Sequence, residues 1–336
     1  MLSVKGSKRH VLPLLFSLLI LLISFLLSIS LGSVNLSIYE VINGILNTDG
    51  YEKQSLIIYS LRFPRIFGAI MAGAALSSAG LMLQQATGND LCAPNIIGVN
   101  SGAGLFVMLI LCFAPSLYLL LPVSAFLGAL IATILVLLIS RMTQGASMKA
   151  TLVLSGVAVG AFFNAVISFL SYLFPDVLVS YTAFSVGSLS GIYSEDIAAP
   201  SAIIGVCLIL ALLLSPRLKL LCLGDSMAAS LGVNVRLVRI FALVLSSALC
   251  ASSVSFGGLI GFVGLIVPHM AKKFVPSDSP LLLPICMTTG AYVLLLSDLL
   301  GRILFAPSEL PCGIIMSIVG APFFVFLLCR RRREHD

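Results

Sequence analysis

The chain has 336 residues, of which 59% are hydrophobic and only 10% charged, and its mean hydropathy is +1.15. No soluble core needs so much apolar sequence, so this is an all-α, multi-pass membrane protein with room for about ten spans of roughly 20 residues. The formal charge is +6, and nothing is left for a soluble catalytic domain, so any nucleotide hydrolysis belongs to another chain.

The placement of the charge matters more than its sum. On a ten-helix layout, one face receives Lys5, Lys8, Arg9, Arg141, Lys149, Arg217, Lys219, Arg236, Arg239, Lys272, Lys273 and Arg330 to Arg333. Only Lys53, Arg62, Arg65 and Arg302 fall on the other. The bias predicts cytoplasmic amino and carboxyl termini. The basic carboxyl-terminal run reads as a stop at an anionic leaflet, not as a nucleic-acid patch. The eight cysteines show no C-x-x-C spacing, and a lone His269 makes no metal site.

Basic residues 5–9 and the apolar run 11–31 have the layout of a signal peptide, but the run is too long and lacks a cleavage site. It is read as an uncleaved first helix. Residues 35–60 read as a polar external loop holding an amphipathic piece at 38–46, suited to the membrane surface. Leu61-Arg62-Phe63-Pro64-Arg65 opens the second helix, with Pro64 in a first turn where its missing N–H costs nothing. Its arginines suit either snorkelling to lipid head groups or an anion-seeking surface for an acidic partner. The second helix, about 66–86, carries a stripe of Ala69, Gly73, Ser77 and Gly80, the pattern of close packing in lipid.

A turn at 88–94 leads into a glycine-dense stretch at 98–104. Without a following Lys or a strand, this is no phosphate loop. A fourth helix covers about 122–139, and 141–149 is an inner loop. The fifth, about 151–174, sets Asn164, Ser168, Ser171 and Tyr172 on one face. Those side chains either line a conduit or tie helices together. Residues 176–196 read as an external stretch.

The clearest polar interruption follows at Leu223-Gly224-Asp225-Ser226-Met227-Ala228-Ala229-Ser230-Leu231-Gly232-Val233. Gly224 and Gly232 predict a small helix stopped at both ends, with an apolar knob for a soluble partner. A seventh helix spans about 238–255. The glycines of 258–264 and Pro268 then predict a short or broken helix covered by others. A ninth helix, about 281–300, ends in Asp298 and Arg302, four apart and able to pair.

Leu-Gly-Asp-x-x-Ala-x-x-Leu-Gly-Val resembles the cytoplasmic loop of the iron-siderophore, haem and cobalamin permeases of ABC importers, the FecCD/BtuC-like family. Further motifs keep the family's order: Leu-Arg-x-Pro-Arg at 61–65, Gly258–His269 and Gly320-Ala321-Pro322, which interrupts the last helix in relatives. Asp90 departs from the family's proline in the 88–94 turn.

The resemblance implies a single permease domain over 1–336 in the bacterial plasma (inner) membrane. Its loop at about 217–239, with Gly224, Asp225, Ala228, Leu231 and Gly232, would seat two ATPase subunits. Segments at about 35–65, 175–196 and 302–311, with Arg62, Arg65 and Arg302, would dock an external substrate-binding protein. Asn89 and Leu91 match positions that narrow the cytoplasmic exit. Asn164, Ser168, Ser171 and Tyr172 are candidates for the pathway. The other implied partners are a second permease copy or paralogue, lipid and a metal-chelate cargo, a ferric siderophore first, with haem or cobalamin next. The chain itself would be no enzyme and hold no cofactor, with ATP bound by the partner subunits. An ion-coupled secondary transporter is the alternative, but it needs ionisable groups at depth, and only Asp298 qualifies.

Overall fold

A computed structural model describes residues 5–32, 34–142 and 148–333. Residues 143–147 of the predicted inner loop lie outside them. The described residues are mostly helical, with no strand among them.

Helix α1 (Lys5–Ser30) precedes two short helices, α2 (Ile38–Ile45) and α3 (Glu52–Leu56). A π-helical turn at Ile57–Arg62 joins α3 to the long α4 (Phe63–Thr87). Then come α5 (Val99–Phe113), α6 (Leu121–Met142), α7 (Met148–Leu173), the short α8 (Leu178–Val186) and α9 (Ser194–Leu221). The six-residue α10 (Asp225–Ser230) leads to α11 (Val235–Gly257), α12 (Val263–Phe274), α13 (Leu282–Leu304) and α14 (Cys312–Arg333).

Among the described residues, seven segments are long and apolar enough to cross a membrane: Val11–Ser30, Glu52–Thr87, Pro115–Ser140, Ala150–Leu173, Ser194–Leu221, Val235–Gly257 and Leu282–Leu304. Helix α5 and the apolar part of α14, Cys312–Phe326, are shorter. So is α12, with 12 residues.

Three local expectations change. The loop expected at 35–60 is largely helical, because α3 and the π turn extend α4 outward. The wider turn sits just before Pro64, whose ring lacks the N–H for a regular α-helical bond. The stretch 176–196 contains α8. Helix α14 continues through Pro322 without a break. Gly320 serves another end: a Cβ there would stand 2.4 Å from the Phe262 ring, so the glycine admits an aromatic neighbour.

Helix α4 is the centre of the bundle. It packs against α13, α11, α12 and α9, and nearly all its side chains are buried. At 1.5 Å per residue it is about 37 Å long, enough to run through the apolar layer. The small-residue stripe lets it approach its neighbours. A Cβ on Gly73 would lie 2.2 Å from the Gly290 carbonyl oxygen of α13, and one on Gly80 would lie 1.8 Å from that of Gly264 in α12. Ser77, on the same stripe, donates to the Cys286 carbonyl at 2.9 Å. Lipid gives helices no hydrophobic reason to associate, so such close contacts and interhelical hydrogen bonds hold them together.

Gly80→Ala forces backbone apart rather than a side-chain tip, and is expected to cost roughly 1–3 kcal/mol. Gly205→Ala in α9, where nothing lies within 4 Å of the added carbon, serves as the control. Thermal melts of the purified protein check the pair, and equal melting temperatures would contradict this account of the crossing.

Candidate functional site

The polar chemistry gathers at the two ends of α4. At its starting end stand three arginines from two helices. Arg62 and Arg65 come from the π turn and the first turn of α4, and Arg302 from the last turn of α13. All are buried, with relative exposures of 5%, 9% and 3%. They do not stand free at a rim. Arg65 Nε donates to Asp298 Oδ1 at 2.9 Å and Oδ2 at 3.0 Å, and its Nη1 reaches Glu309 Oε2 at 2.6 Å. Arg302 Nε lies 3.2 Å from Asp298 Oδ2, an ion pair without hydrogen-bond direction. Its Nη2 donates to the Ser28 hydroxyl. Arg62 is satisfied by main chain, donating to the carbonyls of Ile29 and Val34.

The three arginines and Glu309 line a cavity of about 280 Å³, walled also by Gly32, Leu61 and Tyr193. Three guanidinium groups face the carboxylates of Asp298 and Glu309, so the cup keeps a positive bias. Burial acts to raise the Glu309 carboxyl. The hydrogen bond and charge of Arg65, with help from Ser190 and Arg302, outweigh it and hold the group below its ordinary 4.5. Asp298 is fully buried and shared by two cations.

At the other end of α4 lies the glycine-bounded loop. Gly224 (φ +101°) and Gly232 (φ +81°) flank α10, each in a backbone conformation that side chains disfavour. Ala228 is buried beneath the helix, whereas Leu223, Met227 and Leu231 are more than half exposed. Met227 lies on α10 itself, Leu223 stands just before Gly224, and Leu231 is the first residue after the helix. Asp225 opens α10 and meets Arg239 of α11, whose Nη2 lies 3.0 Å from Oδ1 and 3.1 Å from Oδ2.

The 88–92 turn follows α4 at this end. Asn89 and Leu91 are both half-buried, and Leu91 N–H donates to Asn89 Oδ1 at 3.0 Å. Lys272 of α12 grips the region, reaching Gln84 Oε1 at 2.9 Å and Asp90 Oδ1 at 2.6 Å. Asp90, which replaces the family's proline, thus gains an ion pair.

On α7, Asn164, Ser168 and Tyr172 are exposed on the outside of the bundle, while Ser171 is half-buried and donates to the Ile167 carbonyl. None of the four lines a cavity described above.

Sequence reading paired Asp298 with Arg302, as found. It did not find Arg65 with Asp298, 233 residues apart, or the role of Arg239. The signal for Arg239 was a second arginine, three residues after Arg236, placed where α11 turns apolar.

A family model described as the FecCD transport family matches residues 20–330. The chain is 35% identical to the Fe(3+)-citrate import system permease protein YfmE of Bacillus subtilis over 327 residues, 97% of each chain. It is 37% identical to the hemin transport system permease protein HmuU of Yersinia pestis over 328 residues, 96% of each. A solved structure described as an inward-facing conformation of metal-chelate type ABC transporter superposes with a TM-score of 0.83 at 32% identity, covering 94% of this chain and 98% of the other.

Removing one member of a buried ion cluster strands the rest. Asp298→Ala leaves Arg65 and Arg302 without their shared carboxylate and is expected to cost roughly 3–5 kcal/mol of stability. For Glu309, whose folded value is depressed, the contribution is fully present above pH 4.5 and fades as pH falls through the lowered value. The melting-temperature gap between the natural chain and Glu309→Gln should be constant near neutrality and close on acidification. A gap that widens in acid would contradict the assignment.

Proposed function

The chain belongs to the FecCD transport family, a multi-pass membrane permease rather than an enzyme, and from that premise we propose that it is the translocating subunit of a binding-protein-dependent ABC importer for ferric chelates. The observation that carries this is the loop around α10, a six-residue helix between two glycine joints, where Leu223, Met227 and Leu231 stand exposed to water or a partner. An apolar knob on a polar loop fits a groove on a soluble subunit, and here that subunit is an ATPase, one per permease copy.

The relatives' names support iron as the cargo's metal: one is an iron-citrate permease and another a hemin permease. The cargo proposed here is a ferric complex with an organic chelator, a siderophore first, with haem or cobalamin as alternatives. The exposed polar face of α7 supports a pathway completed by a second permease subunit, identical or paralogous, since polar side chains facing lipid are costly. The positively biased cup at the other end of α4 suits acidic side chains of an external binding protein. Because Arg62, Arg65 and Arg302 are already partnered, docking would add to this network rather than fill empty guanidinium groups.

In this reading α5, α12 and α14 complete ten membrane-crossing helices, short ones being covered by neighbours. The termini and α10 then face the cytoplasm of a bacterial plasma membrane, in accord with the Lys/Arg bias. The alternative, an ion-coupled carrier, draws no support from Asp298, which two arginines hold.

Replacing Leu223, Met227 and Leu231 together by serine should abolish co-purification of the ATPase subunits while the permease remains folded. Undiminished co-purification would sink this reading of α10. Orientation is tested by Cys222, exposed beside α10. With Cys329 replaced by serine, a membrane-impermeant maleimide should label it from the inner side of the membrane only. Labelling from outside would invert the topology.

A further inference from the structure

Arg239 lies in the second turn of α11, at 2% relative exposure. One planar guanidinium group there joins three elements. Its Nε donates 2.7 Å to the carbonyl of Ala86 in the last turn of α4. Its Nη2 holds both carboxylate oxygens of Asp225, the first residue of α10. We propose that Arg239 is the positioning residue through which the state of α10 reaches α4 and the 88–92 turn. The inference rests on the reading of α10 as the ATPase seat, but it assigns the transmission to one side chain.

Four observations carry it. First, α10 hangs between Gly224 and Gly232, both at positive φ in open space. Flexible joints alone would let α10 rock without pulling on the bundle. The Asp225–Arg239 pair, with buried Ala228 beneath, removes that slack.

Second, a guanidinium this buried cannot be left unpartnered cheaply. When α10 shifts, Arg239 must follow Asp225 and pull on Ala86, or hold α10 where it is. The Ala86 carbonyl belongs to the end of a helix, where a cation is also favoured by the helix dipole.

Third, the Ala86 turn is continuous with the candidate gate. The Asn89 N–H bonds back to the Gln84 carbonyl at 3.2 Å. Lys272 ties Gln84 to Asp90. The last turn of α4 and the turn bearing Asn89 and Leu91 therefore form one hydrogen-bonded unit.

Fourth, α4 is buried along its length and crosses α13 and α12 backbone to backbone. A close-packed rod passes displacement on instead of absorbing it. Lysine would not substitute, because a single ammonium lacks the planar fork that bonds a carbonyl and a carboxylate in fixed directions.

The test uses the permease co-purified with its ATPase subunits in proteoliposomes. Leu91→Cys is introduced with the exposed Cys222 and Cys329 replaced by serine, and its maleimide labelling rate is measured without nucleotide and after trapping with ATP and vanadate. With Arg239 present, trapping should change the rate. In Arg239→Lys, the ATPases should remain bound and hydrolyse ATP, but the trapping-dependent change should shrink about fivefold or more. In Asp225→Asn the trapping-dependent change, scaled to the ATPase that the variant retains, should shrink as well, and the double variant should shrink it no further than either single, as for residues working as one link.

A full labelling response in Arg239→Lys overturns the proposal. So does a chain with Arg239 intact that holds the ATPases yet shows no response at position 91. If both single variants lose the ATPases while folded, the pair only shapes the seat, and transmission is overturned while the seat stands. Failure of the unaltered chain to bind ATPases overturns the seat reading itself, and this proposal with it.

Discussion

The structure depends on the contact of α4 with α13 and α12, where Gly73 faces Gly290 and Gly80 faces Gly264 with no room for a methyl group. In lipid the burial of apolar side chains between helices gains little over burial against acyl chains. Contact at backbone distance gains dispersion and brings Ser77 within reach of the Cys286 carbonyl. A helix held this way can be wholly interior. Helix α4 very nearly is, and both of its ends are lined by the ion pairs described above.

The ends solve the same problem differently. At one, three arginines share two carboxylates and several carbonyl and hydroxyl oxygens. Asp298 accepts from Arg65 and pairs with Arg302, so it fixes α13 against α4 in a single register. At the other, Arg239 of α11 donates to a terminal carbonyl of α4, and Lys272 of α12 to the Gln84 side chain. Buried ion pairs contribute little net stability, because desolvation offsets attraction. Their effect here is geometric: they specify which turn of which helix meets which.

Periodicity made one layer of this legible from sequence. The stripe on α4, the glycine-stopped α10 and the Asp298–Arg302 pair are all local patterns, readable because helical spacing converts residue number into face. The partners across faces were not readable. Nothing near Arg65 in the chain announces Asp298, and nothing near Ala86 announces Arg239. A backbone carbonyl, moreover, carries no sequence signal as an acceptor. The outward extension of α4 through α3 was hidden for a different reason. Its residues are polar enough to pass for loop, and Pro64 marks a helix start by propensity even where a π turn carries the helix past it. Gly320 and Pro322 misled in the same way, since a glycine that looks like a breaker instead makes space for Phe262.

The burial of the arginines also changes how an external partner can be imagined. A fully exposed guanidinium pairs weakly, because water and salt screen it and its side chain must be immobilised. Those of Arg62, Arg65 and Arg302 are already fixed and largely dry, with hydrogen bonds in place. An acidic side chain entering the cup would meet a preorganised positive field at little further entropic cost. It would also compete with Glu309 for Arg65. Because Arg65 sits on the first turn of α4, such competition would act on the same rod that Arg239 grips at its far end. On the proposed reading, the outer partner and the ATPases thus address one helix from opposite sides of the membrane. Coupling between them then needs no wire of side chains through the apolar layer, only a helix packed too tightly to move at one end alone.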